Sequence, residues 1–244
     1  KTTIAGTLAR LLAQKEQRVL FFDGDSNPNL AHPLGLPRHQ IGQLPAVPMG
    51  LTEWRVDAGG RAYVHLRQPV SQFIAEYGIP APDGIRLILT GEVEKASAGC
   101  RCEAHAVARG ITGHLVAEAD AAVLDMEAGL EHLGRGTVEN VDVLLIITEP
   151  YYRALEAASR IRDLALQLAL PHIFVVANRV RSPQEEAAIR QYSQAHELEL
   201  LAVIPFDEAI VAAEMQGRSV VDYAPQSPLV QAVDKLIQTL DQKL

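Results

Sequence analysis

Cysteine is scarce in this chain, with two in 244 residues. That is too few to staple a fold of this size, so a disulfide scaffold is excluded and a reducing compartment is expected. Aromatics are scarce too, at 5%, and no apolar run approaches the roughly 20 residues that cross a bilayer. No block of Lys and Arg interrupts a composition whose formal net charge is −8, so neither nucleic acid nor a membrane is an expected partner. An initiator methionine and a secretory leader are also missing. The chain opens on Lys1-Thr2-Thr3 and moves straight into a helical pattern, and a missing upstream segment is the expectation. What remains, with 48% apolar residues, is a cytoplasmic α/β protein with ample core.

Two kinds of segment alternate. Thr2–Gln17 sets Ile4, Leu8, Leu11 and Leu12 at helical spacing, and Arg18–Asp23 (RVLFFD) is a short apolar run ending in an acid, read as a buried strand. Further strands are expected at Ile85–Thr90, Ala121–Asp125, Val143–Thr148, Ile173–Asn178 and Leu200–Pro205. Helices are expected at about Gln68–Tyr77, Cys102–Ala119, Tyr151–Ala169, Pro183–His196 and Pro228–Leu240. Such alternation predicts right-handed crossovers and a mostly parallel sheet with helices on both faces. The chain is read as one domain over residues 1–244, with a Pro- and Gly-rich insertion at about 29–67 that shows little periodicity. In a sheet of this kind ligands sit beyond the carboxyl ends of the strands, which directs attention to Asp23, Asp25, Asp125, Asn178 and Asp207.

Lys1-Thr2-Thr3 at the head of an amphipathic helix has the form of a P-loop tail, where a lysine meets the β- and γ-phosphates and a hydroxyl ligates Mg²⁺. A helix start capped by threonine would look the same. Two later features turn the reading toward phosphate. The strand ending at Asp23 continues as DGDSNPN (Asp23–Asn29), and VLDMEAG (Val123–Gly129) has the form of a Walker B strand. There Asp125 would hold Mg²⁺ through water and the Gly129 amide would meet the γ-phosphate.

Together these motifs resemble the deviant Walker A class of P-loop ATPases, which includes ParA/MinD, the arsenite-pump ATPases and the nitrogenase iron protein. Of that class's Lys-Gly-Gly-x-Gly-Lys-Thr/Ser signature, only the final Lys and hydroxyl residues are present. A chain truly starting at Lys1 would be expected to bind ATP poorly and to leave a sheet edge or gap beside the Asp125 strand. The resemblance implies that Lys1 is the P-loop lysine, Thr2 the Mg²⁺ ligand, Thr3 part of the phosphate cradle, Asp25 the carboxylate that orients the attacking water and Asp125 the Walker B acid. It also makes adenine-side segments of VANR (Val176–Arg179) and IPFDE (Ile204–Glu208), with Asn178, Arg179, Pro205 and Asp207 as candidate contacts. An Asn amide carries the donor and acceptor that an adenine edge needs, although strand-end turns would account for the same residues.

Cys100 and Cys102 form a Cys-x-Cys just before an expected helix, flanked by Gly99, Arg101 and Glu103. A mutual disulfide over so short a loop would be strained. Two thiolates suit zinc, nickel or Cu(I) but make half of a four-ligand site, which a two-fold dimer axis would complete. His105, about a turn later, reads first as a surface or supporting residue and second as an additional ligand. The iron proteins place a second cysteine just after Walker B, where Met126–Leu130 has none. Cys-x-Cys followed by DMEAGLEHLGRG (Asp125–Gly136) resembles instead the CooC-type ATPases that serve nickel insertion into carbon monoxide dehydrogenase. That resemblance implies a nucleotide-dependent homodimer with ATP and Mg²⁺, a zinc or nickel ion shared at its interface, and a nickel-enzyme client. The alternatives are a ParA/MinD-like positioning switch and an iron-protein-like reductase. The switch is disfavoured because Pro228–Leu244 carries only Lys235 and Lys243 against Asp234 and Asp241. Trp54 and Tyr63 in the insertion are read as either a partner surface or cover for a local core.

Overall fold

The computed structural model describes residues 1–15, 17–25, 31–37, 47, 50–56, 59–60, 62–89, 118–126 and 141–244. Cys100, Cys102 and Gly129 lie outside the described residues, as does the expected helix at Cys102–Ala119 apart from its last two positions. The chain divides into two compact units, Thr2–Asn140 and Val141–Leu244 together with Lys1.

In the first unit the elements run α1 (Thr2–Gln14), β1 (Val19–Gly24), β2 (Thr52–Val56), β3 (Ala62–Leu66), α2 (Val70–Tyr77), β4 (Ile79–Pro80), β5 (Arg86–Leu89) and β6 (Ala121–Met126). The main sheet has the order β4-β5-β1-β6, with β1 parallel to both β5 and β6 and only β4 antiparallel. Every residue of β1 is buried, as expected of a strand covered on both faces. Val19 and Phe21 face Ala9 and Ala13 of α1 along with Leu87 and Leu89. Leu20 and Phe22 face the other way, onto Ile88, Leu66 and Phe73. The alternation therefore divides one strand between two cores.

The start of the β1–β6 ladder is pinned by charge. The Arg18 backbone N–H donates to Asp120 Oδ2 at 2.8 Å and its guanidinium Nη2 to Oδ1 at 2.9 Å. The Asp120 amide donates back to the Arg18 carbonyl at 2.9 Å. Hydrogen bonds from the Arg18 side chain and backbone hold the Asp120 carboxyl down to about 2.

α1 is seated by a close approach and a buried cation. A Cβ at Gly6 would lie 2.6 Å from Pro33 Cβ, so the 31–36 turn can pack there only against glycine. Arg10 is buried, with Nε donating to Asp83 Oδ2 at 2.5 Å and Nη1 to the Leu34 carbonyl at 2.8 Å. The helix ends at Gln14 rather than Gln17 because no apolar stripe residue follows Ala13.

The described residues of the insertion include an antiparallel hairpin, β2–β3. Val64 and Leu66 are buried on the sheet, whereas Trp54 is 64% exposed and Val56 is similarly open. Directly opposed residues share a face in an antiparallel pair, so Trp54 lies on the same face as the buried Val64 and is nevertheless largely exposed. It is a surface residue, not cover for a local core.

The second unit runs β7 (Val143–Thr148), α3 (Tyr152–Gln167), β8 (His172–Val180), α4 (Pro183–Ala195), β9 (Leu200–Pro205), α5 (Glu208–Met215), α6 (Val220–Tyr223) and α7 (Pro228–Asp241). Its parallel sheet has the order β7-β8-β9. Ile146 and Val175 pack on Ala158 and Ile161 of α3 and Tyr192 of α4. Leu155 and Ile189 cover Ala177 and Val180. α7 packs on β9 and buries Leu229, Val230, Val233, Leu236 and Ile237. Serine caps recur: Ser182, Ser219 and Ser227 accept from the first-turn amides of α4, α6 and α7.

Candidate nucleotide site

The carboxyl ends of β1 and β6 bring two acids side by side. Asp23 and Asp125 are register partners on adjacent parallel strands, and they are 0% and 2% exposed. The Asp25 backbone N–H donates to Asp23 Oδ1 at 3.0 Å, an Asx turn that bends the chain as it leaves the strand. The aspartate pair two apart thus divides its work: Asp23 holds the backbone and Asp25, half-buried, carries the second carboxylate onward. Sequence reading marked Asp23 only as a strand-end acid, yet the i, i+2 spacing was the signal for the turn. Gly24 between them permits the approach of β6, since a Cβ there would sit 2.8 Å from Met126 Sδ.

α1 packs against β1 and β6. Thr2 and Thr3 are half-buried in its first turn, and Lys1 is exposed just before it. The first-turn amides of an α-helix have no intrahelical acceptor and attract anions. Among the described residues β6 pairs on one side only, with β1. Adjacent buried carboxylates together with a threonine hydroxyl are a hard oxygen donor set of the kind Mg²⁺ takes, so the residues present fit that ion. Among the described residues no group of three or more His, Cys, Asp or Glu is arranged to hold a metal.

The base-side candidates gather at the ends of β8 and β9. Their ladder is regular at Ala177↔Val203 and resumes at Val180↔Pro205, so β8 carries one extra residue, a bulge at Asn178–Arg179. Asn178 is 7% exposed, and its carboxamide makes no hydrogen bond with the described residues. Arg179 has φ +58° and pairs with Glu149 at 3.2 Å. Asp207 does something sequence reading did not assign. Its Oδ1 accepts from the Ala209 amide at 2.9 Å and its Oδ2 from the Leu229 amide at 3.1 Å, so one buried carboxylate caps α5 and ties the start of α7 to it. An Asp immediately before a helical stretch was the available signal.

Residues 1–220 match the CobQ/CobB/MinD/ParA nucleotide binding domain. The chain belongs to that family. It is 39% identical to the carbon monoxide dehydrogenase accessory protein CooC of Rhodospirillum rubrum, over 92% of this chain and 86% of that protein, and is a CooC-type P-loop ATPase. An ATP-binding protein of Methanocaldococcus jannaschii is 32% identical over 90% of this chain and 86% of its own length. Among solved structures, the septum site-determining protein MinD of Pyrococcus horikoshii, complexed with Mg-ADP, superposes with a TM-score of 0.67. It is 21% identical, with 99% of this chain and 90% of that one covered. A ParA family ATPase from Chlorobium tepidum gives 0.68 at 19% identity, with 98% and 91% covered. The expected α/β P-loop fold is therefore the fold observed. No helix among the described residues is long and apolar enough to cross a membrane.

Proposed function

We propose that this ATPase works as a Mg²⁺-dependent homodimer that supports nickel insertion into a carbon monoxide dehydrogenase. The observation that carries the reading is the 39% identity to CooC across 92% of the chain, and the paired acids at the β1 and β6 ends supply the chemistry it needs. Lys1 meets the β- and γ-phosphates of ATP, while Thr3, the α1 amides and the Gly129 amide cradle them. Thr2 and Asp125 hold Mg²⁺, which when bound neutralises charge on the phosphates. Asp25, aimed by its Asx turn, orients a water whose oxygen attacks the γ-phosphorus as the bond to the bridging oxygen breaks, leaving ADP and phosphate. Asn178 offers donor and acceptor to the adenine edge, flanked by Arg179 and Pro205, and Asp207 supports that edge by fixing the chain after β9.

Cys100 and Cys102 from two copies supply four thiolates to one zinc or nickel ion on the two-fold axis, drawn together when ATP is bound. The proposed place of action is the cytoplasm. A membrane-positioning role fits less well, because α7 buries its apolar face within its own unit. The test is metal titration of the full-length protein with Mg²⁺ and a non-hydrolysable ATP analogue, read by bound-metal analysis and light scattering. About one ion per dimer is expected, and Cys100→Ala with Cys102→Ala should abolish it. Unchanged binding in the double variant, or a metal-free monomer from the parent, overturns the proposal.

A further inference from the structure

Among the described residues four other than glycine have φ in the left-handed region: Asp83, Ala169, Arg179 and Glu197. Ala169 and Glu197 follow the ends of α3 and α4, where that conformation is ordinary, and Asp83 sits in a turn. Arg179 alone of the four lies inside a strand, on the bulge beside the buried Asn178 carboxamide. A disfavoured backbone of this kind persists only where its surroundings fix it, and such positions cluster at functional sites.

Two arginines do the fixing. The Arg179 Nη1 donates to Glu149 Oε1 at 3.2 Å, tying the bulge to the residue that follows β7. The Glu149 carbonyl in turn accepts from the Tyr151 amide at 2.8 Å, which holds the Glu149 backbone beside the start of α3. On the far side of the bulge, the Arg181 guanidinium lies 3.9 Å from the Phe206 ring centroid. The Phe206 amide also donates to the Val180 carbonyl at 2.9 Å. Asn178 thus sits between a tie to β7 and a tie to β9.

We propose that Glu149 is a positioning residue for base recognition, holding Arg179 and through it the bulge, so that the Asn178 carboxamide presents its oxygen and its NH₂ in one fixed orientation. This rests on the reading that the ATP base meets Asn178. The consequence is selectivity. An adenine edge offers a donor beside an acceptor, which a fixed carboxamide matches, whereas guanine offers two acceptors at the corresponding edge, N7 and O6. A bulge released from Glu149 lets the carboxamide turn, and the distinction weakens.

The experiment measures steady-state ATP and GTP hydrolysis and thermal midpoints for the full-length protein and its variants. Glu149→Ala and Glu149→Gln should raise KM for ATP about two- to fivefold, as loss of a partly exposed ion pair allows, with a smaller change in kcat, and lower the ATP-over-GTP ratio of kcat/KM by a similar factor. Arg179→Lys, which keeps the charge, should retain most of the preference. Arg179→Gly relieves the left-handed backbone, so it should melt no lower than the parent and still lose discrimination, which separates positioning from stability. If the Glu149 and Arg179→Gly variants keep the parent KM and preference while Asn178→Ala loses them, the positioning role is wrong and the base site stands. If Asn178→Ala is also unchanged, the base binds elsewhere and both ideas fall.

Discussion

Replacing Asp207 with alanine removes one side chain but strands two backbone amides. Oδ1 caps the first turn of α5 through Ala209, and Oδ2 receives the Leu229 amide in a buried bond. A lost N-cap costs about 1 kcal/mol, and a buried donor left without a partner about 1–3 kcal/mol. The sum is about 2–4 kcal/mol, and at 2–4 °C per kcal/mol for a chain of this size a 3 kcal/mol loss lowers the thermal midpoint by about 6–12 °C. Asp207→Asn keeps an oxygen for one amide and turns an NH₂ toward the other, so about half the loss is expected. The measurement is thermal unfolding without nucleotide or magnesium, which removes any contribution from ligand binding. Hydrogen exchange at Ala209 and Leu229 localises the effect. A midpoint within about 2 °C of the parent for Asp207→Ala would refute the double-cap account.

Two further substitutions test the first unit. Gly6→Ala ordinarily gains about 1 kcal/mol of helix propensity, but the new methyl would meet Pro33 Cβ at 2.6 Å. Net destabilisation of about 1–3 kcal/mol is expected by urea denaturation, and a stabilised variant would contradict the close approach. The Asp120 carboxyl titrates near 2 in the fold against 3.8 ordinarily, so its contribution is fully present above pH 4 and is lost as pH falls from about 4 through about 2. Asp120→Asn should flatten that part of an acid-unfolding curve followed by circular dichroism. An identical curve would mean the Arg18 pairing does not persist in solution.

Strands that read as unbroken apolar runs were legible: Val143–Thr148 and Leu200–Pro205 have the bounds their sequences suggested. The hairpin was not, because its alternation at Thr52–Val56 and Tyr63–Leu66 is short and surrounded by Pro and Gly, and half of its inner face is exposed. Nor was the bulge. Asn178-Arg179-Val180 continues a strand in composition, and only the pairing with β9 reveals the extra residue. At the phosphate end, the acids were legible as strand-end residues, while the Asx turn that gives Asp23 and Asp25 different tasks needed the backbone. Asp207 drew attention as a ligand because it follows a strand, but the helix it precedes claims the carboxylate.

The exposed indole on the hairpin gives the molecule a built-in optical reporter. The sequence has one tryptophan, and the indole of Trp54 stands largely in water in the middle of β2. With excitation at the red edge, where the six tyrosines do not absorb, the sequence has no second indole to subtract. Covering that arm by any other surface would shift the emission to the blue, so assembly can be followed in real time on unlabelled material.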